Sequence, residues 1–150
     1  MKISFGKNFE QLDDFLEIYE ADYQESIKEQ NIKGKALGEA CSKNHVWLGY
    51  YSERLAELKH ALAHMEMRVE EIRGKLYQGF KKSSNVALST TEISTYVKSD
   101  PDFINVYVRM LEVKEMVDKY TAAVDTFKHI GYALNNLTKL RVSQLEDQEL

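Results

Sequence analysis

Between Arg73 and Lys82 the chain runs Arg-Gly-Lys-Leu-Tyr-Gln-Gly-Phe-Lys-Lys, so four cations surround two aromatic rings within ten residues. Unpaired nucleic acid needs cations along its phosphates and flat side chains under its bases, and this stretch offers both. Arg73, Lys75, Tyr77, Phe80, Lys81 and Lys82 are therefore the candidate nucleic-acid-binding residues. The same composition also has a purely structural use. Bases near a helix C-terminus complement its dipole, and Tyr77 and Phe80 would close the end of a core.

Other chemistry finds little support. His60 and His64, four apart, would place two imidazoles on one helical face, but the heptad register described below turns both toward solvent and no third ligand lies near. Carboxylate pairs such as Asp13 with Glu17 are joined by no His or Cys, so no metal is expected. The chain has no glycine-rich phosphate loop, no paired-cysteine motif and no nucleophile elbow, which leaves no catalytic residue to name and no cofactor to expect. A single cysteine, Cys41, cannot form an internal disulfide and fits a reducing compartment. No apolar run approaches the roughly 18 residues of a membrane span, and Lys2 and Lys7 are followed by no apolar signal core. The expectation is a soluble, cytoplasmic protein that does not enter a membrane.

The elements that must carry these side chains are helices. Leu48, Tyr51, Leu55, Leu58, Leu62, Met65, Val69, Ile72 and Leu76 recur in steps of three and four without a slip, the a/d seam of a heptad repeat. Cys41 falls seven residues before Leu48 and belongs to the same seam. The helix should begin near residues 37–41 and end at Gln78, with Gly79 just past its C-terminus. The basic-aromatic stretch would then sit where helix frays into loop. Ser89-Thr90-Thr91-Glu92 has capping-box spacing and should open a short helix through Val97. Asp100-Pro101 marks a second start, with Asp100 as N-cap and Pro101 at the first helical position. From there Val106, Met110, Val113, Val117, Tyr120, Val124, Phe127, Gly131 and Leu134 form a second seam. Upstream, Phe9, Leu12, Phe15, Leu16, Tyr19, Tyr23 and Ile27 mark an amphipathic acidic helix, and Gly34 and Gly38 a break after it.

These elements define an all-α chain: a long antiparallel, coiled-coil-like helical hairpin with an N-terminal amphipathic helix and a short connecting helix. Residues 1–35 form the acidic helix and linker, and residues 36–150 the hairpin. Apolar content after Val124 exceeds what one seam needs. Val124, Phe127, Ile130, Gly131, Leu134 and Leu137 are the candidate oligomerisation residues, with cover for the N-terminal helix as the other use of that surplus. Charge is unevenly spread. Asn8 to Gln30 holds eight acids and one base, the last five residues add three acids, and the stretch between carries a net +4 although the whole chain is −4. A basic body with acidic ends suits a phosphate-binding surface whose own tails compete for it, and solvated helix faces produce the same figures.

A family resemblance follows from an ordered series of short matches. Ser99-Asp100-Pro101-Asp102, Val117-Asp118, Ala123-Val124-Asp125, Phe127-Lys128 and Gly131-Tyr132-Ala133-Leu134 resemble the C-terminal half of the UvsY family of phage recombination mediators. Trp47-Leu48, the heptads, and Leu76-Tyr77-Gln78-Gly79 resemble that family's first helical half, which closes in a Tyr-Tyr-x-Gly-like turn. The resemblance spans roughly residues 40 to 142. It implies a non-enzymatic accessory factor that binds single-stranded DNA, weakens the hold of a single-stranded-DNA-binding protein and helps load a RecA-like recombinase. It also implies a ring-like homo-oligomer built through the C-terminal helices, in the host cell cytoplasm. The family's DNA-contacting Lys-x-Arg pair falls near the end of the first long helix. Arg73 matches the arginine, but Glu71 stands where the lysine would be, leaving Lys75, Lys81 and Lys82 as substitutes. The competing class is a scaffold: a helical protein that binds other proteins and no DNA.

Overall fold

Apolar side chains in alternating steps of three and four give a helix one adhesive edge, and the chain builds its two longest helices on that pattern. The structure is a computed structural model and describes residues 9–146. Four helices follow one another: α1 (Glu10–Glu29), α2 (Leu37–Ser83), α3 (Thr90–Ser99) and α4 (Pro101–Glu146). Among the described residues there is no strand, and the fold is all-α. Lys2, Lys7 and the acids at 147–150 lie outside the described residues.

The helix boundaries follow local chemistry in three places and depart from it in one. Gly34, at φ 77°, makes the turn between α1 and α2, a conformation that costs residues bearing a Cβ about 1–2 kcal/mol. Ser89 caps α3 as a full capping box: its hydroxyl accepts from the Glu92 backbone N–H at 3.3 Å while Glu92 accepts from the Ser89 N–H at 2.8 Å. The bond from the Ser89 N–H draws the Glu92 carboxyl below its usual range. α4 starts at Pro101, with the Asp100 carboxylate accepting from the Asp102 N–H at 2.9 Å. α2, however, does not stop at Gln78. It continues through Gly79 to Ser83, because Phe80 keeps the helical spacing after Leu76 and sets its ring 5.9 Å from that of Tyr96 on α3. That packing outweighs the roughly 1 kcal/mol a mid-helix glycine costs, and Lys81 and Lys82 in the last turn favour the helix dipole.

The chain forms two compact units. In the first, residues 9–57 with 118–146, the start of α2 runs antiparallel to the end of α4. Asn44 meets Phe127, and Tyr51 meets both Phe127 and Tyr120. Tyr51 and Phe127 stack at 5.4 Å and 7°. Tyr51, Leu55, Tyr120, Val124, Phe127 and Leu134 are buried on these helices, and Phe9, Leu12 and Tyr19 are buried from the α1 side. Cys41, assigned to the seam from its spacing, is half-exposed; Ala40 and Asn44 take the buried positions.

In the second unit, residues 58–117, Leu58, Ala61, Met65 and Val69 of α2 are buried, as are Ile93 and Val97 of α3 and Phe103, Val106, Val113, Met116 and Val117 of α4. Most seam residues are thus core in each unit, while Leu48, Leu62, Ile72, Leu76 and Met110 are half-buried. α3 is short, and a ten-residue helix is marginal alone in water, so its buried pair and its cap together account for its order.

Candidate nucleic-acid interface

The candidate stretch is helical, and this decides which of its side chains can act together. A helix turns about 100° per residue, so Arg73, Tyr77 and Phe80 share one flank of α2, with Lys81 one turn beyond Tyr77. Lys75 and Lys82, seven residues apart, share the other flank. The six residues are therefore divided between two flanks instead of gathered in a loop.

Each flank has its own electrostatics. The Arg73 guanidinium lies 5.7 Å above the Phe103 ring of α4 and 3.4 Å from the Glu70 carboxylate. Lys75 pairs with Glu71 at 2.6 Å, and that hydrogen bond holds the Glu71 carboxyl below its usual range. Both pairs are largely exposed, where such contacts are worth about 0–1 kcal/mol, so a phosphate could displace either carboxylate. Lys81 and Lys82 are exposed and have no ion-pair or hydrogen-bond partner among the described residues. Tyr77 and Phe80 are half-buried.

The structure brings up three further rings that the composition of one stretch could not reveal. Tyr96 backs Phe80 and is itself half-exposed, and Tyr107 stacks on Phe103 at 5.7 Å and 16°. Tyr107 belongs to an exposed apolar stripe with Ile104, Val108 and Leu111. Its spacing of three and four runs out of register with Val106, Met110 and Val113, a signal that was present in the sequence. Among the described residues no group of three or more His, Cys, Asp or Glu is arranged to hold a metal, and no helix is long and apolar enough to cross a membrane. His60 and His64 are both exposed.

The candidate oligomerisation residues separate by depth. Val124, Phe127 and Leu134 are buried within the chain itself. Ile130 and Gly131 are half-buried, and a Cβ at Gly131 would stand 3.2 Å from the Asn44 amide nitrogen. Leu137 is exposed, and it continues into Leu140 and Val142, also exposed, on the last described turns of α4.

An all-α protein of two long seamed helices joined through a short capped one is the class that results. No protein-family model matches the chain, and no curated protein does. Among solved structures the fold is similar to the crystal structure of the bacteriophage T4 recombination mediator protein UvsY, with a TM-score of 0.71 and 16% identity. The likeness covers 83% of this chain and 97% of that one. At that identity it is a likeness of fold.

Proposed function

We propose that this protein is a recombination mediator: a non-enzymatic factor that binds single-stranded DNA and helps a RecA-like recombinase replace a single-stranded-DNA-binding protein. The observation that carries the proposal is the fold shared with T4 UvsY over nearly all of that chain. It stands beside the ordered sequence resemblance over residues 40 to 142. In this reading Lys81 and Lys82 meet phosphates directly, Arg73 and Lys75 do so by releasing Glu70 and Glu71, and Tyr77 and Phe80 lie beside the strand. Copies of the chain assemble through the exposed apolar turns at Leu137, Leu140 and Val142. Assembly links weak sites, and linked sites gain affinity through effective concentration without any new contact.

The test is to replace Arg73, Lys75, Lys81 and Lys82 with alanine and follow binding of an oligothymidine over a salt series. Each phosphate-contacting cation contributes roughly 0.7 to the slope of log affinity against log salt, so the fourfold variant should lose up to about 2.8. Unchanged affinity and slope would show the site to be misassigned. A scaffold reading is favoured by one observation, the Ile104, Tyr107, Val108 and Leu111 stripe on α4, whose apolar spacing suits a partner helix. It predicts no salt-dependent DNA binding by the unaltered protein.

A further inference from the structure

α1 is held in the first unit by apolar and polar contacts together. Leu12 and Tyr19 are buried and Phe15, Leu16 and Tyr23 half-buried, while Ile18 and Ile27 are exposed. The polar contacts converge on a few side chains. The Asp22 carboxylate accepts from the Tyr50 hydroxyl at 3.0 Å, the Arg54 Nε at 3.3 Å and the Tyr120 hydroxyl at 2.8 Å. Glu20 pairs with Lys119 at 2.8 Å, and Glu29 accepts from the Trp47 indole N–H at 3.0 Å. The Tyr19 ring lies 4.2 Å beneath the Arg54 guanidinium and 5.5 Å from the Tyr120 ring.

Without α1 the first unit presents two cations, Arg54 and Lys119, among the rings of Trp47, Tyr50 and Tyr120, with the Glu57 carboxylate of α2 3.2 Å from Arg54. What α1 places on that surface is three carboxylates on its cations, phenols and indole, and a ring against its guanidinium and a phenol. A single strand would make the same pairings, phosphate for carboxylate and base for tyrosine. α1 also has the charge density of such a strand, with eight acids against one lysine over residues 10–29.

We propose that α1 occupies a second single-stranded nucleic-acid surface, formed by Arg54, Lys119, Trp47, Tyr50 and Tyr120, and that α1 and a strand compete for it. The proposal rests on single-stranded DNA being the ligand, and it concerns residues separate from the α2 site. Ligand-free protein keeps this surface covered. A strand delivered at high local concentration displaces the three carboxylates one by one, because each has a phosphate equivalent; the buried Leu12 and Tyr19 and the Tyr19 hydroxyl's bond to Glu57 are what it must overcome.

Two triple variants with the same change of charge separate this mechanism from general electrostatics. One neutralises the inner acids (Glu20→Gln, Asp22→Asn, Glu29→Gln), the other the exposed outer acids (Asp14→Asn, Glu17→Gln, Glu25→Gln). With an oligothymidine probe, the inner variant should bind more tightly and its salt slope should steepen by about 2.1, roughly 0.7 for each of the released Arg54, Lys119 and Lys35, while the outer variant, which frees only Lys28, should steepen by no more than about 0.7. Equal responses from the two would overturn the proposal. A second measurement uses the unaltered protein, so it holds even where the inner variant folds poorly. Saturating oligothymidine should raise hydrogen exchange in α1, and unchanged or increased protection there would also overturn it. Failure of the α2 site is read independently, from the Arg73, Lys75, Lys81 and Lys82 variant with α1 intact.

Discussion

Phe127→Ala tests whether the end of the second seam is core or contact surface. The Phe127 ring is wholly buried and lies flat on Tyr51 at 5.4 Å and 7°. Truncating it removes the transfer of a full aromatic side chain from water and leaves a cavity, which together cost about 3–5 kcal/mol. Lost stacking, about 0.5–1.5 kcal/mol beyond buried area, is contained in that figure and places the expectation in its upper half, about 4–5 kcal/mol. For a chain of this length each kcal/mol lowers Tm by about 2–4 °C, so the variant should melt roughly 8–20 °C below the parent. Phe127→Leu keeps most of the volume and should lose less than about 1.5 kcal/mol. The assay is urea denaturation followed by circular dichroism, with sedimentation velocity on the same samples. A loss below about 1 kcal/mol together with a fall in sedimenting mass would refute the reasoning, since the ring would then serve contacts between copies.

Gly131→Val should cost about 1–3 kcal/mol in the same denaturation assay, because its side chain drives into the Asn44 amide and breaks the 3.1 Å bond that Asn44 donates to the Phe127 carbonyl. Ser89→Ala removes half of the capping box on α3 and should lose about 1 kcal/mol, seen as faster hydrogen exchange confined to residues 90–99. The phenols of Tyr19, Tyr51 and Tyr120 are pushed well above their usual range, chiefly by burial, and Tyr50 is raised by burial and by its bond to Asp22. A raised folded pKa means the folded chain keeps protons that the unfolded chain releases near pH 10, so stability is intact below about pH 10 and falls as pH climbs above it. Denaturation midpoints across that range should show the fall, less steeply in Tyr120→Phe, and a flat profile would count against this network.

The seam was legible because its signal is local and repeated. Tyr51, Leu55, Leu58, Met65 and Val69 are buried as their spacing requires, and Ser89 and Asp100 carry their boundaries within three residues. The end of α2 was not legible, since Gly79 reads as a terminus until Tyr96, far along the chain, is known to receive Phe80. Composition also could not divide the candidate site, because it lists Arg73 and Lys75 as neighbours where the turn of the helix sets them on different flanks. Asp22 offered no signal at all. Its partners Tyr50, Arg54 and Tyr120 stand 28 to 98 residues away, and only the fold brings them to one carboxylate.

Heptad repeats are degenerate: sliding one helix by seven residues returns apolar residues to apolar positions at almost no cost. Asn44 removes that freedom in the first unit. Its amide is buried, donates to the Phe127 carbonyl, and sits close against Gly131, where an added Cβ would stand 3.2 Å from its nitrogen. Its other atom, Oδ1, has no partner among the described residues, a standing cost that a leucine would not carry. An Asn44→Leu chain would gain in packing and lose the buried polar contact that ties α2 to α4 in one register of the first unit.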